Sequence, residues 1–303
     1  MMNFPFYSVV IPAYNAGKFI GNALDSVRSQ VFQNYEIIIV NDGSQDDTLE
    51  RVKNYFIGYP YLSQKIINQN NKGIGGARNS GINAAVGEFV AFLDADDWWR
   101  KDKLLKVKRC LDQKGSIDLI CHNEEFVEKG EVSKRLKYGP YKTYKELLFK
   151  GNCLSTSATV VRREKLFEAG LFSENLDFNG VEDYELWLRL AKICEIEYLN
   201  EMLGVYNFSE GSITRNIAEH MRHSFNVIDY HYSQWPDKKF FYQGQINRRK
   251  AELMRATALV FLKTNHKISA GRLLSDSFRL NPFSIKTWIS AAAVLIKRGR
   301  KSG

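Results

Sequence analysis

The chain has 303 residues, 44% of them hydrophobic and 25% charged, a composition that excludes a disordered polymer and leaves room for one large domain with an appendage. Its formal charge of +9 is unevenly spread, because residues 216–303 carry 16 Lys/Arg against 5 Asp/Glu, whereas residues 1–215 carry 27 against 29. The basic excess belongs to the C-terminal part and points to an anionic surface, either acidic lipid or nucleic acid.

Cys110, Cys121, Cys153 and Cys194 are irregularly spaced with no Cys-x-x-Cys pair, so neither a zinc site nor a disulfide framework is expected, and a reducing compartment fits. The N-terminus passes within a few residues into Tyr7-Ser-Val-Val-Ile-Pro-Ala, which reads as a strand rather than a cleavable leader. No apolar run reaches the roughly 18 residues that a spanning helix needs.

Short β-branched runs then alternate with segments of helical periodicity, the pattern of βαβ units and a mostly parallel sheet. Ser8–Ile11 is the first predicted strand, Gly17–Gln30 a helix, and Glu36–Val40 a second, central strand ending in Asn41-Asp42-Gly43-Ser44. Ser44-x-x-Asp47 has the form of a capping box opening a helix over Thr48–Phe56. After a short strand at Ile66–Ile67 comes Asn70-Asn71-Lys72-Gly73-Ile74-Gly75-Gly76-Ala77-Arg78-Asn79-Ser80-Gly81. Glycines this dense let backbone approach a ligand closely or turn with positive φ, and a helix following them would aim N–H groups and Arg78 at an anion. The segment fits neither the Walker nor the dinucleotide pattern.

Phe89–Leu93 reads as a buried strand that stops in Asp94, Asp96 and Asp97, followed by Trp98 and Trp99. Carboxylates crowded in this way repel one another and call for a cation, and hard oxygen donors favour magnesium or manganese over zinc. The competing reading is a solvated turn with a helix cap. A helix from Leu104 to Leu111 and a strand at Asp118–Cys121 follow, and Glu124–Tyr144 is expected to be an irregular excursion. In Asn179–Ala191, Tyr184, Trp187, Leu188 and Ala191 form one apolar stripe, which sets Glu182 and Asp183 at the start of a half-buried helix. The composition turns helical, aromatic and basic after Thr214. A boundary near Arg215–Glu219 divides a catalytic domain over residues 1–215 from a helical region over 216–303. The end, Phe283–Ile296 followed by Lys297-Arg298-Gly299-Arg300-Lys301, suits a helix lying in a membrane interface beside anionic headgroups.

Five motifs appear in order: Val9-Val10-Ile11-Pro12-Ala13-Tyr14-Asn15, Val40-Asn41-Asp42-Gly43-Ser44, Gly76-Ala77-Arg78-Asn79, Leu93-Asp94-Ala95-Asp96-Asp97 and Glu182-Asp183-Tyr184-Glu185-Leu186-Trp187. Over Ser8 to Thr214 the chain resembles the family 2 glycosyltransferases. The resemblance implies a GT-A fold, a mostly parallel α/β sheet flanked by helices with a Rossmann-like nucleotide-binding half, here with a C-terminal helical extension.

By the same resemblance, Asp42 accepts a hydrogen bond from a uracil ring, Pro12, Ala13 and Tyr14 pack along base and ribose, and Arg78 contacts the nucleotide. Asp94 and Asp96 match the Asp-x-Asp motif, Asp96 ligating Mn2+ or Mg2+, and Asp97 is an outer-shell or structural carboxylate. Asp183 matches the catalytic base of an inverting displacement, although a carboxylate at a helix start is also an ordinary cap. Trp98 and Trp99 are candidates for sugar stacking or for packing. Many relatives read Tyr-Arg-x-His-x-x-Ser where this chain has Tyr206-Asn207-Phe208-Ser209-Glu210-Gly211-Ser212, so metal binding is expected to rely on Asp96 and the substrate phosphates, with Glu210 or a neighbour closing the site, and to be weaker.

The expected activity is transfer of a sugar from a nucleotide diphosphate donor, UDP-linked by this resemblance, to a hydroxyl of a glycan or lipid-linked glycan in surface polysaccharide synthesis. Transfer to a polyprenyl phosphate and a lapsed nucleotide-binding scaffold are the alternatives. Trp and Ile on the same helices as the Lys and Arg favour an anionic membrane over nucleic acid, and the expected location is cytoplasmic, peripheral to the inner face of the membrane.

Overall fold

A computed structural model of the chain describes residues 4–208, 217–235 and 240–290. Four strands, β1 (Tyr7–Ala13), β2 (Tyr35–Asp42), β3 (Gln64–Gln69) and β4 (Phe89–Phe92), alternate with helices α1 (Ile20–Arg28), α2 (Thr48–Gly58) and α3 (Gly73–Ala84). They pair in parallel in the order β3-β2-β1-β4. Every residue of β1, β2 and β4 is buried, which is why these strands are nearly continuous apolar runs.

Next come β5 (Trp98–Trp99), α4 (Lys103–Lys114), β6 (Leu119–Glu128), β7 (Glu131–Leu136), α5 (Tyr144–Lys150), β8 (Thr159–Arg162), α6 (Arg163–Glu168), α7 (Glu182–Leu190) and β9 (Ile196–Phe208). The sheet continues from β4 through β8, β6 and β9 to β5, with β7 paired on β6. Here it becomes mixed, since β8 runs antiparallel to both β4 and β6 while β9 runs parallel to β6. Residues 124–136, expected to be irregular, instead lengthen β6 and form the β6–β7 hairpin. Its outer strand is mostly exposed and rich in Glu, Lys and Arg, so apolar alternation was absent from an edge that charge keeps soluble.

The chain forms two compact units, the first comprising Met1–Leu147, Asn152–Leu176 and Glu182–Ser212. Val9, Ile11, Ile37, Ile39, Phe89 and Ala91 face one side of its sheet and join Leu24, Val52 and Leu104 in one core. Elsewhere in the unit the rings of Phe92, Phe172 and Trp187 meet edge to face.

The second unit comprises Leu148–Gly151, Asp177–Val181 and Ile213–Gly303, and contains α8 (Ile217–Ser233), α9 (Phe240–Lys263) and α10 (Lys267–Leu280). Ala258, Ala270 and Leu274 form a small core between α9 and α10. Residues 285–290 are helical, and Ile268, Phe283, Ile285, Trp288 and Ile289 are exposed. The remainder of the predicted terminal helix and the Lys297–Lys301 run lie outside the described residues, as does Glu210. No described helix is long and apolar enough to cross a membrane, and all four cysteines are free.

One contact fixes how β1 and β4 meet. Ser8 donates to Glu36 at 2.7 Å and accepts the Gly87 N–H at 2.9 Å, while Glu36 also takes the Val86 N–H and pairs with Lys65. Burial pushes the Glu36 carboxyl up, but these donors prevail and hold it below the ordinary value. An added Cβ at Gly87 would stand 2.6 Å from Ser8 N and 2.7 Å from Tyr7 C, backbone atoms of a central strand that cannot yield. Gly87→Ala is expected to cost about 1–3 kcal/mol, read as a lower urea midpoint with unchanged slope; a native midpoint would contradict this close approach.

Candidate active site

The parallel half of the sheet ends in two linked loops. Pro12 and Ala13 close β1, fully buried, and Tyr14 beyond them is 52% exposed. The segment after Tyr14 is tied to the loop after β2: Asn15 N–H donates to Ser44 Oγ at 3.0 Å, Ala16 N–H to Thr48 Oγ1 at 2.8 Å, and Gly17 N–H to Asp46 at 3.1 Å. The predicted capping box does not form. Ser44 is engaged by Asn15, and Asp46 rather than Ser44 accepts the Thr48 N–H.

Asp42, 2% exposed at the end of β2, accepts hydrogen bonds from Gln69 Nε2 at 2.7 Å and Lys72 N–H at 2.9 Å, both on Oδ1. Gly43, with φ of +76°, turns the chain immediately after it, a conformation that favours glycine.

The glycine-rich stretch is not a loop cradling a ligand, because Gly75 and Gly76 lie inside α3. A Cβ at Gly75 would meet Ser173 O at 3.0 Å, and Asn79 bonds Phe172 O and N at 2.9 Å each. The small residues thus bring α3 close to another part of the protein. Arg78, 2% exposed, sends one guanidinium nitrogen to Asp94 and the other to Glu182, both at 2.8 Å.

Beyond β4 the chain turns tightly, the Asp97 N–H donating to Asp94 O at 3.1 Å. Asp94 and Asp96 are partly exposed and Asp97 is buried. Asp97 accepts the Ser157 hydroxyl at 2.6 Å and the Asn207 N–H at 2.8 Å, which fits the structural carboxylate rather than a ligand. Burial, then the charges of Asp96, Glu124 and Asp94, hold the Asp97 carboxyl well above the ordinary range. Trp99 is packing: it is buried, its Nε1 donates to Ser157 O at 2.8 Å, and Lys103 Nζ sits 3.2 Å from its ring centre. Trp98 stays half-exposed and lines a groove of about 430 Å³ with Lys18, Arg100 and Asn207.

Asp183 is the second residue of α7, behind Glu182. It is not the cap of that helix; its Oδ1 takes the Tyr184 N–H at 2.6 Å and its Oδ2 the Thr156 hydroxyl at 3.3 Å. Burial raises its carboxyl above the ordinary value, with Asp94 adding to the rise and Arg78, the Tyr184 N–H and Thr156 opposing it. Of the expected stripe, Tyr184, Trp187 and Leu188 are buried, whereas Ala191 lies past the end of α7 and is half-buried.

Several groups here carried no motif. Glu124 is wholly buried in β6, accepting the Tyr138 hydroxyl at 2.8 Å. Lys103 is wholly buried too, its Nζ donating to Ser157 O at 3.2 Å. A lysine before an amphipathic helix ordinarily signals a solvated start, and only its neighbour Trp99 hinted otherwise.

Asp94 and Asp96 offer hard oxygens to a divalent cation, but one oxygen of Asp94 is held by Arg78. Among the described residues no group of three His, Cys, Asp or Glu side chains is arranged to hold a metal. The donors therefore fit a hard cation whose remaining ligands come from elsewhere, such as substrate oxygens and water.

The sequence model of the family described as "Glycosyl transferase family 2" matches residues 8–170. A UDP-Glc:alpha-D-GlcNAc-diphosphoundecaprenol beta-1,3-glucosyltransferase of Escherichia coli, WfgD, is 30% identical over 224 residues, 73% of this chain and 84% of that protein. Among solved structures, S. aureus TarS 1-349 in complex with UDP-GlcNAc aligns with a TM-score of 0.66 at 20% identity, over 97% of this chain and 92% of that one. The mannosyltransferase PcManGT from Pyrobaculum calidifontis, in complex with GDP-Man and Mn2+, aligns with a TM-score of 0.65 at 16% identity, over 99% and 81%. The likeness to both structures establishes the GT-A type of fold, and the sequence matches establish the rest: the chain belongs to glycosyltransferase family 2 and is a glycosyltransferase.

Proposed function

We propose that the protein transfers a sugar, with inversion, from a UDP-sugar to a hydroxyl of a glycan carried on a membrane lipid. The observation that supports this most is the Arg78 bridge, which brings the acidic end of β4 and the start of α7 within reach of one guanidinium. A site for displacement at an anomeric carbon needs those two acidic groups on opposite sides of the sugar.

At the nucleotide end, Asp42 has both its internal bonds on Oδ1, and an ionised carboxylate has about four acceptor positions, so it retains capacity for a uracil N–H. Pro12, Ala13 and Tyr14 would flank base and ribose. Asp94, with Arg78 behind it, would lie beside the diphosphate, and Asp96 would hold a Mn2+ or Mg2+ ion. When bound, that ion offsets the negative charge that grows on the departing diphosphate.

The acceptor oxygen attacks the anomeric carbon as the bond from that carbon to the diphosphate oxygen breaks, the electron pair leaving with UDP. Asp183 takes the hydroxyl proton. A raised carboxyl is a better base than an ordinary one, because proton affinity grows with pKa, provided the group stays ionised at the working pH.

The exposed apolar side chains at Phe283, Ile285, Trp288 and Ile289, beside Lys286, fit insertion into an anionic lipid surface. A lipid-borne acceptor accords with that surface and with the acceptor in WfgD's name.

Asp183→Asn is expected to reduce UDP release from UDP-glucose and UDP-N-acetylglucosamine, with an alkyl-diphosphate-linked N-acetylglucosamine as acceptor, by at least about a hundredfold. UDP affinity by calorimetry should stay within about twofold, since binding and proton transfer are separable. The native enzyme should lose activity toward acid at a pH above the ordinary carboxylate value of about 3.9, because protonating a raised Asp183 removes the base. Full transfer by Asp183→Asn would remove the assignment, and no UDP release by the native protein from any nucleotide sugar, with or without manganese, would favour a lapsed scaffold.

Asp96→Ala should abolish the gain in UDP affinity that manganese gives the native protein, and chelation should do the same to the native protein. A manganese effect that survives the substitution would move the metal elsewhere. For the membrane, the combined variant Phe283→Ser, Ile285→Ser and Ile289→Ser should no longer float with phosphatidylglycerol vesicles, while the native protein does so; equal flotation would exclude this surface.

A further inference from the structure

Of three consecutive hydroxyl residues, Ser155, Thr156 and Ser157, the last two each hold a different acidic group. The Glu124 carboxylate accepts the Tyr138 hydroxyl at 2.8 Å. Thr156 donates to Asp183 Oδ2 at 3.3 Å. Ser157 donates to Asp97 Oδ2 at 2.6 Å and accepts the Asp94 N–H at 3.0 Å. Its carbonyl takes Trp99 Nε1 at 2.8 Å and Lys103 Nζ at 3.2 Å.

All three side chains are largely withdrawn from water, and the segment leads directly into β8, where Thr159 donates back to Ser155 O at 2.6 Å. β8 lies between β4 and β6 in the sheet. The run is therefore anchored between the strand that delivers Asp94 to Asp97 and the strand that carries Glu124. Hydroxyl donors suit this place because they are neutral: each satisfies a carboxylate without adding a cation that would compete for it.

We propose that the pair Thr156–Ser157 is a positioning element of the reaction, Thr156 orienting the carboxylate of Asp183 and Ser157 fixing the turn that carries Asp94 and Asp96. The inference rests on the reading of Asp183 as the base. It assigns the two hydroxyls different duties. Thr156 bears on the step in which the acceptor loses its proton, and Ser157 on how the diphosphate end of the donor is received. A merely structural loop would lose both together.

The test compares Thr156→Val, Thr156→Ser, Ser157→Ala and Asp183→Asn in the full-length protein. Readouts are UDP affinity with manganese by calorimetry, and turnover of UDP-glucose and UDP-N-acetylglucosamine with the alkyl-diphosphate-linked N-acetylglucosamine. Thr156→Val keeps the branched shape and removes the hydroxyl, so kcat should fall about 10- to 100-fold, as misplacement of a reacting group does, with donor KM and UDP affinity unchanged. Thr156→Ser should restore most of the loss. Ser157→Ala should weaken UDP affinity in manganese by at least about fivefold, having removed a bond to each end of the acidic turn.

Native kcat in Thr156→Val, equal impairment in Thr156→Ser, or parallel loss of UDP affinity and kcat in both Thr156→Val and Ser157→Ala would overturn the proposal. If Thr156→Val does not fold, Thr156→Ala takes its place, with the same loss of kcat at unchanged UDP affinity expected, and native kcat or a parallel loss of both overturning the proposal. An inactive Asp183→Asn beside a native Thr156→Val would overturn the positioning role alone, whereas an active Asp183→Asn would remove the base and this inference with it.

Discussion

The acidic centre depends on one buried cation. Arg78 comes from the middle of α3, and its planar fork spans the carboxylate at the end of β4 and the one at the start of α7. Two carboxylates brought together by the fold repel each other, and a guanidinium that reaches both converts that repulsion into a tie with fixed geometry. Removing one partner from a buried pair of this kind typically costs about 3–5 kcal/mol, because the survivor stays desolvated and unpaired. Arg78 can serve only if α3 is held at one depth and rotation. Gly75 sets the depth through its approach to Ser173, and Asn79 sets the rotation by bonding both backbone groups of Phe172. The Gly-Gly-Ala-Arg-Asn sequence is therefore a docking device whose product is the placed guanidinium.

That distinction explains part of what sequence could and could not say. The parallel strands were legible because burial on both faces demands unbroken apolar runs, and the strand ends were legible because the acids interrupt those runs abruptly. Asp97 as a structural carboxylate was also within reach, since not all of three neighbouring acids can face one ligand. The role of the glycines was not, because close approach to a ligand and close approach to another segment require the same residue. The capping box failed for a related reason: Ser44 has a competing donor in Asn15, distant in sequence and adjacent in space.

The hairpin β6–β7 and the hydroxyl run were missed on different grounds. A β-edge rich in Lys and Glu has lost the alternation that marks a strand, as an edge protected by charge must. Thr156 and Ser157 have no spacing signature, because each acts on a carboxylate from another part of the chain. Lys103 and Glu124 are the sharpest case. A wholly buried lysine and a wholly buried glutamate are rare, and apart from Trp99 near Lys103 nothing in their immediate sequence distinguishes them from solvated ones. What makes them tolerable is partners brought in by the fold: the Trp99 ring and Ser157 carbonyl for one, the Tyr138 hydroxyl for the other.

The charge balance of the centre constrains how a substrate can enter. Against Asp94, Asp96, Asp97, Glu124, Glu182 and Asp183 stands Arg78, a cation already committed to carboxylates, while burial holds the Lys103 amine well below its ordinary value and its Nζ is engaged by a ring and a carbonyl. Burial lifts Asp97 and Asp183 above the ordinary range, which lowers the cost of the crowding without reversing its sign. In the proposed reaction a diphosphate would bring further negative charge to this place. The repulsion between them is substantial at separations of a few ångströms in a partly desolvated cleft, where the effective dielectric constant falls to about 20 and unit charges 4 Å apart interact by about 4 kcal/mol. A divalent cation is attracted by both sides, so the same electrostatics that exclude a bare diphosphate favour one that arrives with its metal. In the proposed reading the nucleoside end is under no such constraint, since Asp42 would meet a neutral base by hydrogen bonding. Selection of the base and admission of the diphosphate would then be separate problems, handled at the end of β2 and in the turn after β4.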